Sequence, residues 1–271
     1  MPLHAPRELR LAALHWLAET DHVAKSAGVI ALAQENQEGA IGLEAETVLM
    51  PLRPIPGRPL LPELVSHQLV PRRSMRTGEG RAALIHALAH IEFNAINLAL
   101  DAIWRFPGMP REYYQDWLQV AAEEARHFNL LAAHLVTKGY AYGEFAAHNG
   151  LWDMAEKTGD DILARLALVP RTMEARGLDA TPPLRAKLAQ AGEMEAAAIL
   201  DIILADEIGH VLIGNRWFNW VCDERGLDPV AAYASLAETY QAPALRGPFN
   251  LQARRAAGFS ESELLALLKL Q

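Results

Sequence analysis

Apolar positions recur every three or four residues along most of this chain and almost nowhere alternate, which predicts helices and no β-sheet. Residues 6–20 (PRELRLAALHWLAET) read as an amphipathic helix, and 21–38 as a second. The stretch 47–79 breaks the pattern: Pro51, Pro54, Pro56, Pro59, Pro62 and Pro71 exclude a continuous helix. An extended arm is expected there, with Leu52, Ile55, Leu60, Leu61, Leu64, Val65 and Leu69 laid on the rest of the molecule. A strong helical pattern runs from Glu79 to Arg105 and stops at Phe106-Pro107-Gly108. Pro110 opens the next helix as its first residue, and Gly139 ends it after Lys138. Residues 140–159 form a crossover with a short helix near 151–157. Asp160 or Asp161 caps a third long helix that ends by Arg176-Gly177. A short helix or loop after Thr181-Pro182-Pro183 leads to a fourth, about 193–225. The tail adds helices near 229–240 and 260–270, the latter begun by a Ser260/Glu263 capping box. The expected fold is all-α: a four-helix bundle of two antiparallel hairpins, wrapped by an N-terminal helical segment, the arm and a C-terminal helix pair. The matching partition is 1–78, 79–226 and 227–271.

The seams of the four bundle helices are interrupted by acids. Ile85, Ala89, Glu92, Ile96, Ala99 and Ile103 share one face of the first, and Trp117, Val120, Glu124, His127 and Leu131 one face of the second. Leu163, Ala167, Pro170 and Glu174 form the third seam. Leu200, Ile203, Glu207, His210, Gly214, Trp217 and Val221 form the fourth. The interruptions repeat. Glu92 precedes Glu124-Ala125-Arg126-His127 by 32 residues, and Glu174 precedes Glu207-Ile208-Gly209-His210 by 33. Residues three apart lie on one helical face, so each Glu-x-x-His can grip one ion from one side. Four carboxylates and two imidazoles in this order are the ligand set of a dinuclear iron or manganese site in a four-helix bundle. Buried without a cation, each carboxylate would cost several kcal/mol or stay protonated. The alternative is that Arg126, Arg171, Arg176 and Arg216 neutralise the acids instead.

Glu-x-x-His alone is weak: with 22 Glu and 10 His in the chain, about one match is expected by composition. A third copy, Glu19-Thr20-Asp21-His22, lacks a partner Glu at the matching distance and serves as the decoy. A net charge of −8 and a pI near 5.7 weigh against bulk electrostatic binding of nucleic acid. One cysteine, Cys222, excludes a disulfide framework and cysteine-ligated zinc or iron–sulfur. No apolar run reads as a membrane span and no signal-peptide core is evident, so a soluble, cytoplasmic protein is expected. A homodimer is left open.

The runs PGRP…PELV (56–65), HALAHIEFNAINLALDAIWRF (86–106), DWLQVAAEEARHF (116–128), VPRTMEARGLDATP (169–182) and DEIGHV (206–211) resemble the ferritin-like di-iron carboxylate superfamily. Within it they look like a bacterial ferritin-like family of unknown function. They are similar, more distantly, to the tRNA-modifying di-iron hydroxylases. The resemblance implies Glu92, Glu124, His127, Glu174, Glu207 and His210 as ligands of two iron ions, with manganese as the other metal. It implies dioxygen or peroxide as co-substrate, and an electron donor if the reaction is a monooxygenation. In related proteins an acid just before a ligand Glu can orient a ligand His; Asp206 and Glu123 hold that place here, against a surface role for each. The substrate is not implied, because such bundles store iron, reduce peroxide and hydroxylate substrates alike.

Other residues invite a role. His86 and His90 are spaced like ligands, but helical rotation turns them about 120° and 160° from Glu92. With Asn94, Asn97 and Asp101 they read as a hydrogen-bonded flank under the arm or at a subunit contact, a second metal site being the alternative. His134 reads as a core histidine, and Tyr113 and Tyr114 as packing residues. Arg72, Arg73 and Arg76 read as a solvated basic loop, or as a patch for an anionic substrate or RNA backbone. The leading reading is an oxygen-activating oxidoreductase. Iron oxidation with sequestration, and a metal-stabilised scaffold without turnover, are the alternatives.

Overall fold

The computed structural model describes residues 7–70 and 74–269. Among these it contains eleven α-helices and no strand, only two isolated bridges. By contact the chain divides into two units, residues 1–152 and 153–271.

The first unit is built on the hairpin of α3 (Gly78–Arg105) and α4 (Arg111–Thr137), with α1 (Leu9–Leu17) against α3 and α2 (His22–Gln37) against α4. Thr77 caps α3 through its side chain, and Gly139, at φ +79°, ends the last turn of α4. Pro110 sits one residue earlier than expected, as the N-cap of α4. Tyr113 and Tyr114 are fully buried and tie the hairpin's turn. Their hydroxyls donate to the carbonyls of Ala102 (3.1 Å) and Phe106 (2.9 Å). By length and mean hydropathy (1.3 over 18 residues) α3 could cross a membrane, contrary to the expectation that no run would qualify. Of that stretch 72% is buried inside the protein, so α3 is a core helix.

Two buried cations finish the helix ends. Arg10, fully buried, donates to the carbonyls of Ile103 (3.3 Å) and Trp104 (2.7 Å) at the end of α3, and to Ala45 (2.9 Å) beyond α2. Lys25 donates to Leu17 (3.2 Å), Gly57 (2.8 Å) and the Asn97 amide oxygen (2.6 Å). Each places positive charge where unpaired helix carbonyls accumulate.

The arm departs from expectation. Leu52 and Leu60 are 98% and 100% exposed, and Leu61 and Leu69 are also exposed. Backbone bonds hold the segment instead: Gly57 N–H to Leu17 (2.8 Å), and a reciprocal pair between Glu63/Val65 and Ala147 (3.0 and 2.8 Å). Gly57 is required, since a Cβ there would lie 2.3 Å from the Ala18 carbonyl. Arg72 and Arg73 lie outside the described residues; Arg76 is exposed.

The second unit pairs a broken helix with α8 (Met194–Glu224). The break begins at α6 (Ile162–Leu168), capped by Asp161. A π-helical turn follows over 169–174, and α7 (Ala175–Gln190) continues. Helix α9 (Pro229–Thr239) packs on α6 and α8, while α10 (Leu251–Ala256) packs on α7, α8 and α11 (Glu261–Leu268). Between the units in sequence lies α5 (Gly150–Lys157), as expected for the crossover. The third helix does not end at Arg176-Gly177; it runs through Pro182 and Pro183. The carbonyl that Pro182 cannot bond, that of Leu178, accepts the Asn250 amide instead (3.2 Å). Asn250 caps α10, a helix the periodicity did not predict.

Candidate metal centre

In the first unit α3 presents Glu92, and α4 presents Glu124 and His127 from adjacent turns. All three are buried, at 4%, 1% and 1% exposure, and one donor atom from each lies within 4.8 Å of the others. His127 Nδ1 stands 3.3 Å from Glu92 Oε2 and 3.4 Å from Glu124 Oε2. Donors bound to one first-row divalent ion at roughly 2 Å are separated by about 3.0–3.4 Å, so the spacing fits a shared cation. Two carboxylate oxygens and an imidazole nitrogen suit iron, manganese or zinc. Burial pushes the His127 imidazole down, but hydrogen bonds and charge from Glu124 and Glu92 outweigh it and raise it to about 11. Without metal, a proton on His127 does part of a cation's work between the two acids.

In the second unit α8 buries Glu207 and His210 on one face, His210 Nδ1 lying 3.8 Å from Glu207 Oε1. Glu174 closes the π-turn and is half-buried. The turn follows from the sequence. Pro170 has no N–H and its ring crowds the preceding turn, so the α-ladder cannot continue. The chain widens by one residue: Ala175 N–H bonds the Pro170 carbonyl, and the Thr172 hydroxyl donates to Ala167 (2.8 Å). Gly214 lets α8 come close, since a Cβ there would lie 2.4 Å from Pro170 Cβ. Such π-bulges recur at functional sites because they re-aim a side chain out of helical register.

The turn is clamped by the C-terminal helices, which the sequence reading missed. Arg171, 4% exposed, pairs with Glu263 of α11, and its guanidinium lies 4.5 Å from the Phe218 ring centroid and 5.3 Å from those of Tyr233 and Phe259. Burial opposes ionisation of Glu263, yet Arg171 and the Ser260 capping bonds hold its carboxyl below the usual range. The Thr172 hydroxyl and Tyr233 are 2.9 Å apart. The Ser260 capping box located Glu263 in sequence but gave no hint of its partner.

Of the arginines proposed as countercharges, Arg126 pairs with Glu123 (3.4 Å) and Arg171 with Glu263. Glu123 also accepts from Gln119 (3.1 Å), one turn earlier on the same helix; Asp206 is half-buried. The decoy is not helical throughout. Glu19 lies between α1 and α2, accepting from Thr20 and Asp21 N–H (2.7 and 2.9 Å), while His22 begins α2 against Phe128 and Tyr142. His86 and His90 are buried in the hydrogen-bonded flank: His86 Nε2 accepts from Gly143 N–H (2.9 Å), and His90 Nδ1 meets the Tyr142 hydroxyl (2.9 Å). His134 is buried in α4. Cys222 is a buried thiol whose ionisation burial disfavours.

Residues 18–265 match a family described as a protein of unknown function, DUF455. An uncharacterized protein of Haemophilus influenzae is 50% identical over 231 residues, covering 83% of this chain and 80% of its own length. No solved structure matches the chain. With a match across nearly its whole length and a relative at half identity, the chain belongs to the DUF455 family.

Proposed function

We propose that this chain is a ferritin-like di-iron carboxylate protein that activates dioxygen or peroxide to oxidise a substrate. Glu92, Glu124, His127, Glu174, Glu207 and His210 are its ligands, with manganese as the alternative metal. In this reading residues 79–226 are the metal-binding bundle, and 1–78 and 227–271 pack on it. The observation that carries the proposal is the buried Glu92–Glu124–His127 cluster, whose sequence pattern recurs at Glu174, Glu207 and His210. Glu207 and His210 are buried side by side on α8, as the repeat requires.

When bound, two iron ions supply the electrons that reduce dioxygen, and six protein ligands leave coordination positions open on them. The chain's own part is to hold charge and exclude water. Glu92 and Glu124 orient His127, and the π-turn aims Glu174. A monooxygenation further requires an electron donor. A cytoplasmic location belongs to the same proposal and rests on α3 being a core helix and on the single, buried Cys222.

Iron oxidation for storage uses similar ligands, so oxidation alone does not separate the two. The test is reduced protein given iron in large excess under dioxygen. An oxidoreductase stops near two iron ions per chain. Continued uptake into a soluble mineral with cage-sized particles would replace this reading with storage.

A further inference from the structure

On the flank of α3 away from Glu92 lies a cavity of about 390 Å³, between residues 58–64 of the arm and the helix face that carries Phe93 and Asn94. Asn94 follows Glu92 by two residues, so it is turned about 160° around the helix from it. The cavity is therefore separate from the Glu92 cluster. Its volume is within the range of small-molecule sites, which combine apolar walls with a few placed polar groups.

The walls are ring-lined and preformed. Phe93 and Tyr142 form a corner, with their ring centroids 5.7 Å apart and their planes at 53°. Tyr142 is fixed by stacking on His86 (5.2 Å between centroids, 21° between planes). Pro59 and Pro62 of the arm line the same space. Backbone bonds hold the arm on either side of them, from Gly57 to Leu17 (2.8 Å) and between Glu63 and Ala147 (3.0 Å). Proline backbone is stiff, and a corner of tilted rings takes a further ring edge-to-face.

One buried acceptor opens on this apolar space. Asn94 is 4% exposed, and its amide nitrogen lies 2.9 Å from the His90 carbonyl and 3.0 Å from His90 Nε2. A carbonyl neighbour demands a donor, so the nitrogen end is fixed on His90 and the oxygen end is turned away. Both N–H groups are engaged there, while the oxygen has no partner among the described residues. It is the polar atom that Asn94 presents to the cavity. Asn97, one turn on, is already occupied: its oxygen takes the Lys25 ammonium (2.6 Å) and its amide donates to the Phe93 carbonyl (3.1 Å).

A charged ligand is disfavoured here. An anion would meet the Asn94 oxygen and, at the exposed edge, the Glu63 carboxylate. A cation would meet Arg58, which lines the cavity and is itself engaged within the protein. A neutral ring with one hydrogen-bond donor satisfies both the walls and the lone acceptor.

We propose that this cavity binds a small phenol, its hydroxyl donating to the Asn94 oxygen and its ring seated against Phe93, Tyr142 and the two prolines. The site needs no metal and stands apart from the proposed oxidation chemistry.

Phenol is the probe, and fluorobenzene, of nearly the same size but without a donor, is its control. Both are titrated at neutral pH into chelator-treated full-length protein and followed by ligand-observed NMR. The expected result is one phenol per chain with a Kd on the order of 1 mM, at least about fivefold tighter than fluorobenzene. Asn94→Leu keeps the size of the side chain and removes the acceptor, so the preference for phenol should vanish. No saturable phenol binding would overturn the proposal, because the oxygen would then hold only water. Equal affinity for the two probes, or a preference for phenol that survives Asn94→Leu, would overturn it as well. So would binding that appears only after metal is restored, which would place the phenol on the metal centre. If Asn94→Leu does not fold, the two probes on the unaltered metal-free chain still decide.

Discussion

Glu124→Ala protein, purified and reconstituted with iron, is expected to hold at least one metal ion fewer per chain than the unaltered protein, and Glu207→Ala likewise. Glu124 is 1% exposed and lies with Glu92 and His127 in one donor cluster, so no surface carboxylate can take its place. Loss of one of a few ligands from a buried site forfeits affinity in proportion to a charged bond, not to a solvated contact. The control is built into the sequence. Glu19→Ala and His22→Ala alter the same motif where it spans the turn between α1 and α2, and should leave metal content unchanged. Inductively coupled plasma analysis of the four variants reads the result. Equal losses at both places would mean that the wrong copies of the motif have been assigned.

Glu263→Ala should destabilise the protein by about 3 kcal/mol, because it strands a buried guanidinium without its counterion. Arg171 is 4% exposed and enclosed by Phe218, Tyr233 and Phe259, so water cannot replace the lost carboxylate. The comparison is Glu261→Ala, two residues away on the same helix. Its partner Arg255 is exposed, and solvent screens the pair, so no measurable change is expected. Denaturant midpoints of the two variants separate the cases. The Glu263 variant should also lose metal more readily, since Arg171 stands three residues before Glu174 in the π-turn. A Glu263→Ala protein as stable as the Glu261 variant would mean that the cage of aromatic rings alone satisfies Arg171.

Long amphipathic elements were legible because their signals are local. The fourth periodic stretch, expected at about 193–225, forms α8 at Met194–Glu224, and Ser260 with Glu263 caps α11 as its spacing foretold. The failures share a cause. A proline's effect depends on whether another segment bonds the carbonyl it abandons, and Asn250, 72 residues after Leu178, does so for α7. The arm's leucines suggested burial, but burial requires a facing surface, and the arm is fixed by backbone bonds at Gly57, Glu63 and Val65 instead. The burial of Arg10 and Lys25 has no local signal in the sequence, because their partners are carbonyls that only the folded chain assembles. Period and spacing picked out Glu92, Glu124 and His127 as candidate ligands, and the fold buries the three side by side. The clamp on Glu174's turn was not, since Arg171 and Glu263 lie 92 residues apart and neither forms a motif with the other.

The central claim is that one centre holds two iron or manganese ions on Glu92, Glu124, His127, Glu174, Glu207 and His210. The most direct measurement is a crystal structure of iron-reconstituted protein with anomalous difference maps at the iron and manganese edges. Two peaks within bonding distance of those six side chains, with none at Glu19 and His22, are the predicted result. A single zinc ion on part of the set, or Glu174 turned away from any metal, would contradict it.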